Sequence, residues 1–108
     1  GDVNLTDVVI TENQSQTAGG GVYVANSGVF TMTGGEVTAN QATDNAIGGG
    51  LHVAGNASLE NVTVRSNTAD GVGGGIYLGN NDANTLANAE LLNSSIEANT
   101  SHDDGGGI

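Results

Sequence analysis

The stretch VRSNTADGVGGGIYL, residues 64–78, contains the two motifs that decide the fold. The first motif is an aliphatic residue, two variable positions and an asparagine, which here runs from Val64 to Asn67. The second is a glycine triplet followed by an aliphatic residue, here Gly73 to Ile76. Both motifs recur in the same order along the 108 residues, and a recurring unit of this length is typical of solenoid proteins.

Four copies of the two motifs cover almost the whole chain. Their asparagines are spaced 27, 27 and 32 residues apart and are Asn13, Asn40, Asn67 and Asn99. Their glycine triplets begin at Gly19, Gly48, Gly73 and Gly105. Apolar residues alternate with polar ones in every copy, and the pairs of the first copy are Val3/Leu5, Val8/Ile10 and Val22/Val24. A period of two predicts β-strand, and the Asn, Asp, Gly and Ser residues between the pairs predict turns.

Each copy therefore predicts one coil of a β-solenoid with three short strands, one from each apolar pair. Stacked coils would pair equivalent strands in parallel, about 4.8 Å apart, around an aliphatic interior. We expect an all-β chain without helices, organised as a single segment, residues 1–108. Its coils are predicted at residues 1–27, 28–54, 55–86 and 87–108, which makes about four coils.

The asparagines and glycines are predicted to be structural. Equivalent residues lie above one another in a solenoid, so Asn13, Asn40, Asn67 and Asn99 can form a hydrogen-bonded ladder at one corner. A catalytic asparagine is the less favoured interpretation. The glycine triplets suit tight corners with positive φ. A phosphate-binding loop would need a following helix and a lysine, and neither accompanies the triplets.

Charge excludes several classes of partner. The chain has 12 acidic residues and a single basic one, Arg65, which gives a formal net charge of −11. Nucleic acids and anionic membrane surfaces require Lys and Arg, so neither is expected as a partner. No apolar run approaches the roughly 20 residues of a membrane-spanning helix, and we expect no membrane insertion. The chain has no cysteine for disulfides or metal sites.

Catalysis is not expected, and no catalytic residue is assigned. The outward carboxylates fall in different columns of the repeat and are Glu36, Glu60, Glu90 and Glu97. No cofactor and no metal site is predicted, because His52 and His102 do not share a column. Weak Ca²⁺ binding at the acidic corners, Asp82 and Asp103–Asp104, remains an alternative to ordinary solvated turns, which are the favoured interpretation.

Two sets of surface residues are candidates for contacts. Tyr23, His52 and Tyr77 share an outward column, which is predicted to stack and could touch a sugar or a neighbouring fibre. Asn-x-Ser/Thr sequons with outward asparagines occur at Asn4, Asn56, Asn61 and Asn93. These sequons are either glycan acceptors or a consequence of Asn, Ser and Thr crowding at solenoid corners, and both interpretations stay open.

The pairing of Gly-Gly-Gly-[Ile/Val/Leu] with [Ile/Val]-x-x-Asn resembles the repeats of polymorphic outer-membrane proteins and autotransporter adhesins. That family alternates Gly-Gly-Ala-[Ile/Leu/Val] with Phe-x-x-Asn, so this chain departs by Gly for Ala and by Ile or Val for Phe. The resemblance implies a right-handed parallel β-helix in an extracellular or cell-surface location. It also implies a structural or adhesive role.

Partners follow from the same interpretation. We expect end-to-end self-association in a filament or continuation of the same chain into further coils, with glycans as further partners. The alternative function is a non-catalytic stretch of a carbohydrate-binding or carbohydrate-cleaving β-helix protein.

Overall fold

The computed structural model describes residues 1–79 and 86–108, and these residues form thirteen β-strands and no helix. The strands are β1 (Asp2–Thr11), β2 (Gln14–Ser15), β3 (Val22–Val24), β4 (Val29–Thr38), β5 (Gln41–Ala42), β6 (Leu51–Val53), β7 (Asn56–Glu60), β8 (Thr63–Arg65), β9 (Thr68–Ala69), β10 (Ile76–Leu78), β11 (Asn88–Leu92), β12 (Ser95–Glu97) and β13 (Thr100–Ser101). Within these ranges no helix could cross a membrane.

Strands of successive copies pair in parallel and form three sheets. The largest sheet runs β11-β7-β4-β8-β12, with β1 also paired to β4. The second sheet is β10-β6-β3 and the third is β13-β9-β5-β2. Partner residues are the equivalent positions of the repeat, as in Ile10↔Val37 and Val37↔Val64. The predicted all-β parallel β-helix is therefore confirmed.

The assignment of apolar pairs to strands needs a correction. The two pairs that precede each asparagine lie in one sheet, and in the first copy both belong to β1. The third sheet consists instead of two-residue strands that follow each asparagine, such as Thr68–Ala69. Two residues are too few to show alternation, so the sequence pattern did not reveal these strands.

Three columns of left-handed residues mark the corners, because a left-handed residue between extended ones turns the chain. Their φ values lie between 49 and 73°, and the strand register aligns the members of each column. The columns are Asp7, Gly34, Asn61 and Asn93; Glu12, Ala39, Ser66 and Ala98; and Gly19, Gly48, Gly73 and Gly105. Only the third column consists of glycines, each of them the first residue of a triplet.

The core lies between the sheets and comes from the two middle copies, with Val24 added from the first copy. Its members are buried aliphatic side chains with one phenylalanine and one methionine, namely Val24, Phe30, Met32, Val37, Leu51, Val53, Ala57, Leu59, Val62, Val64 and Ile76. Inward positions of the end copies are more exposed, with Val3 at 49% and Leu91 at 38%. These two residues belong to β1 and β11, and among the thirteen described strands each of the two has a partner on one side only.

Candidate functional site

The four asparagines predicted as a ladder lie over one another, and we call them the asparagine column. The Nδ2 of each of the first three donates to the Oδ1 of the next copy at 3.0 Å, from Asn13 to Asn40, Asn40 to Asn67 and Asn67 to Asn99. The Nδ2 atoms of the last three also donate to strand carbonyls of the preceding copy at 2.9–3.0 Å. Asn40 and Asn67 are buried, so these bonds satisfy amides that water does not reach.

The glycine triplets pack against this column. A methyl group added at Gly50 would lie 2.6 Å from the carbonyl oxygen of Gly75 and 3.0 Å from Nδ2 of Asn67. At Gly75 the same addition would lie 2.8 Å from Nδ2 of Asn99. The third glycine of a triplet therefore leaves room for the asparagine of the next copy. This contact explains physically why the two sequence motifs occur together.

Tyr23, His52 and Tyr77 form a stack of rings, here called the aromatic column. They occupy equivalent positions of β3, β6 and β10. The ring centroids are 5.0 Å apart between Tyr23 and His52 and 4.9 Å apart between His52 and Tyr77, and both pairs meet edge to face. Tyr23 is 54% exposed, but His52 is only 9% exposed. The outward column predicted from sequence thus holds a largely buried imidazole at its centre.

The imidazole of His52 is held in one tautomer by the backbone. Its Nε2 lies 3.2 Å from the carbonyl oxygen of Gly79, and because a carbonyl only accepts, Nε2 is the donor. Burial lowers the pKa of His52 below its ordinary value of 6.5, and the bond to Gly79 offsets part of that effect. His52 is therefore neutral at pH 7, with a lone pair on Nδ1. Nδ1 is buried and has no hydrogen-bond partner within residues 1–79 and 86–108.

A cavity of about 240 Å³ adjoins the aromatic column, and we call it the aromatic cavity. Besides the three rings, Asn26, Ile47 and Gly79 contribute to its wall. Among residues 1–79 and 86–108, no charged side chain lines it. Sequence reasoning missed Asn26 and Ile47, because Asn26 lies in a turn and Ile47 lies between β5 and β6, outside both strands. No periodic signal marks either residue.

At the acidic corners, protein groups contact the carboxylate of Asp70 and the backbone carbonyls of Asp103 and Asp104. Asp70 accepts from the backbone N–H of Asp44 at 3.0 Å and lies 3.3 Å from Nδ1 of His102. Ser101 donates to the carbonyls of Asp103 and Asp104. The described part of the chain contains no cluster of three or more potential metal ligands. Asp82, the other residue considered for Ca²⁺, lies outside the described residues.

The histidines, the outward glutamates and the sequon asparagines considered for surface chemistry lie at separate places. His52 lies against Gly79, whereas His102 lies beside Asp70. The two histidines do not meet, as predicted from the repeat. Of the four outward glutamates, Glu36 pairs with Arg65 at 3.4 Å. The sequon asparagines Asn4, Asn56, Asn61 and Asn93 are all exposed.

The comparisons with known proteins bear on the third copy. Residues 61–79 match the family model of the Chlamydia polymorphic membrane protein repeat. This segment is similar to that repeat and spans 19 of the 108 residues. The predicted resemblance is therefore confirmed, and the match includes both motifs, Val64 to Asn67 and Gly73 to Ile76. It indicates association with the outer membrane or cell surface. Comparison with curated proteins and with solved structures gives no match.

Proposed function

We propose that the chain is a structural and adhesive segment of an extracellular or cell-surface β-helix fibre, and that it acts without catalysis. The observation that carries this proposal is the asparagine column, which links all four copies by amide hydrogen bonds. In a stack of this kind the inward side chains hold the coils together, and the outer wall is available for contacts. The net charge of −11 keeps such rods soluble and apart.

Surface display is the first test of this proposal. Antibodies raised against the chain are applied to intact and to permeabilised cells of the organism that produces it. The proposal expects equal labelling of both samples. Labelling that requires permeabilisation contradicts it.

Adhesion is tested separately with coated beads. Beads carrying the chain should attach to a panel of cells more strongly than beads carrying an equally acidic protein. An effect of charge alone would be the same for both bead types, so the difference measures specific adhesion. Equal attachment of the two bead types contradicts the adhesive part of the proposal and leaves the structural part in place.

The edges of the stack support the proposed partners. Among the described strands, β1 pairs with β4 alone and β11 pairs with β7 alone, so no described strand covers the other side of either. We propose that further β-helix coils, of the same chain or of a second copy, cover these edges. Electron microscopy of native material should show rods with an axial repeat of about 4.8 Å. Dispersed globular particles would contradict this proposal.

Glycans are proposed at the exposed sequons. Exposure of Asn4, Asn56, Asn61 and Asn93 supports access by a modifying enzyme. Mass spectrometry of native material should find added hexose at these asparagines, and unmodified peptides at all four would remove this part of the proposal.

The second candidate function is a stretch of a carbohydrate-binding or carbohydrate-cleaving β-helix protein. The aromatic cavity favours its binding form, since a concave site with aromatic walls and a few polar groups is typical of ligand sites.

A further inference from the structure

We infer that the chain binds a second molecule of itself head to tail, with the fourth copy of one molecule stacked on the first copy of the other. This inference rests on the proposed structural function, which it deepens by naming the partner and the register. The N-terminal face is the side of β1, β2 and β3 that no described strand covers. The C-terminal face is the corresponding side of β11, β12, β13 and residues 105–108.

The glycine triplets give the two faces opposite hydrogen-bonding groups. Between copies, the backbone N–H groups of one triplet donate to carbonyls of the next, as from Gly20 to Gly48 at 2.9 Å. On the C-terminal face, the N–H of Gly106 has no acceptor among the described residues. On the N-terminal face, the carbonyl of Gly19 has no donor among them. Two like faces would oppose donors to donors or acceptors to acceptors, so the complementary arrangement is head to tail.

The asparagine column has the same polarity. The backbone N–H and Nδ2 of Asn67 both donate to Oδ1 of Asn99, at 2.9 and 3.0 Å. Within residues 1–79 and 86–108, the backbone N–H of Asn99 has no acceptor and Oδ1 of Asn13 has no donor. Head-to-tail stacking places Asn13 of the second molecule over Asn99. There it accepts two hydrogen bonds from Asn99 and donates one to the carbonyl of Ile96, as the repeat does between its own copies.

The C-terminal face has an open position for that asparagine. A methyl group added at the third glycine of the first three triplets would lie 2.8–3.0 Å from Nδ2 of the next asparagine. At Gly107, the third glycine of the fourth triplet, the nearest described atom would be Cγ2 of Ile96 at 3.6 Å. No asparagine of the described chain lies within 4 Å of this point. The side chain of Asn13 of the second molecule fits there.

Stacking also covers apolar side chains on both faces. Val3 on the N-terminal face is 49% exposed and Leu91 on the C-terminal face is 38% exposed. Their equivalents in the middle copies, Phe30 and Leu59, are 5% and 2% exposed because a further copy lies on each side. The head-to-tail register removes the same kind of surface from water, which favours association.

Charge favours this register although the chain carries a net charge of −11. With Asn99 opposite Asn13, every acidic residue of the first and fourth copies meets an uncharged residue across the junction. Extending the observed register gives the pairs Glu90 with Asn4, Glu97 with Thr11, Asp103 with Thr17, Asp104 with Ala18, Asn88 with Asp2, Asn93 with Asp7 and Ala98 with Glu12. Like charges directly opposite each other on paired strands are destabilising, and this junction has none.

Sedimentation velocity of the 108-residue chain tests the inference. Head-to-tail contacts leave one face free on each end molecule, so assembly is open-ended. The average mass should therefore keep rising as the concentration increases from about 1 μM to about 1 mM. A mass that stays that of one molecule overturns the inference. A mass that stops at two molecules also overturns it, because that indicates pairing of like faces.

Two variants block opposite faces. Gly107→Ala fills the open position on the C-terminal face, and its methyl has no described atom nearer than 3.6 Å in its own molecule. Asn13→Ala on the N-terminal face removes three hydrogen bonds across the junction and should weaken association about a hundredfold. Circular dichroism should show both variants folded.

Mixing these two variants tests the polarity of the contact. Each variant alone should remain monomeric, because each lacks one working face. An equimolar mixture should form dimers and nothing larger, through the intact C-terminal face of Asn13→Ala and the intact N-terminal face of Gly107→Ala. A monomeric mixture, or assembly of either variant alone to the extent of the unchanged chain, overturns the inference.

Charge variants test the register. Thr11→Glu places a carboxylate opposite Glu97 of the neighbouring molecule and should weaken association about fivefold at low salt. Thr6→Glu is the matched control, because it adds the same charge at another exposed position of β1 that meets Leu92. The difference between the two should disappear at about 1 M salt. Equal weakening by both variants at low salt overturns the inference.

The outcome is distinguishable from failure of the proposed function. If the chain stays monomeric but intact cells are labelled and native material forms rods, this inference fails while the structural proposal stands, with coils of the same chain covering the edges. If the chain assembles head to tail but is not displayed on the cell, the proposed function fails and the junction stands.

Discussion

Replacing Asn67 by Ala should destabilise the chain far more than the same change at Asn13. The Asn67 side chain makes four hydrogen bonds: it donates to the Val37 carbonyl and to Asn99 Oδ1, and it accepts from the backbone N–H and the side chain of Asn40. At about 1 kcal/mol for each bond, Asn67→Ala should lower the free energy of unfolding by about 4 kcal/mol. This is a large share of the roughly 5–15 kcal/mol that stabilises an ordinary domain.

Asn13 provides the matched control within the same column. Its side chain donates one bond in the column, to Asn40 Oδ1, and the residue is exposed. Asn13→Ala should therefore cost only about 1 kcal/mol. The measurement is urea unfolding followed by far-ultraviolet circular dichroism, with midpoints and slopes compared between variants.

An isosteric variant separates hydrogen bonding from lost volume. Asn67→Asp keeps the shape of the side chain but replaces the Nδ2 donor by an oxygen that faces two acceptors. It should destabilise the chain at least as much as Asn67→Ala, because the buried carboxyl also loses its hydration. If Asn67→Asp is neutral, or if Ala at positions 13 and 67 costs the same, the column does not stabilise the stack by hydrogen bonding.

Three further outcomes are expected from backbone, packing and protonation. Gly50→Ala should cost about 1–3 kcal/mol in urea unfolding because its methyl meets a carbonyl oxygen 2.6 Å away, whereas Gly107→Ala, with its nearest atom at 3.6 Å, should cost almost nothing; equal costs would contradict this packing argument. Ala39→Gly should increase the free energy of unfolding by about 0.5–1 kcal/mol and so raise the thermal midpoint, because Ala39 has φ 56°, a conformation that glycine adopts more readily. Ala25→Gly, at an exposed position without positive φ, should lower it, and a shared sign would refute the proposed strain. Since the folded pKa of His52 lies below 6.5, the unfolded chain binds its proton first, so stability should fall as pH drops from 6.5 through the folded pKa. His52→Gln should remove that part of the pH dependence in urea titrations, and an unchanged difference between pH 7.5 and 5.5 would contradict it.

The repeat explains how much of the fold was predictable. Stacked parallel strands need equivalent residues at equivalent positions, so Val37, Val64 and Ile96 in the sequence already indicated one buried column. The two-residue strands of the third sheet were not indicated by the sequence, because two residues are too few to show alternation of apolar and polar side chains. Two of the corner columns were also not predicted. Their left-handed residues include Glu12 and Ala39, and neither residue type favours positive φ.

The candidate site was predictable only in part. Shared spacing after each glycine triplet was enough to align Tyr23, His52 and Tyr77, and to expect that they stack. The burial of His52, its tautomer and its unpartnered Nδ1 depend on Gly79 and on the rings above and below it. The aromatic cavity depends on Asn26 and Ile47, which come from outside the repeating strands.

The sequence by itself determined a repeating all-β stack, its register and its acidic outer wall, because these follow from periodicity and charge, which are local properties of the chain. Only the tertiary structure decided which polar atoms are satisfied. The amide of Asn67 makes four hydrogen bonds with residues of two other copies, whereas Nδ1 of His52 makes none with the described residues. Hydrogen-bond satisfaction depends on distances and angles between segments far apart in the chain, and no spacing of residue types specifies those.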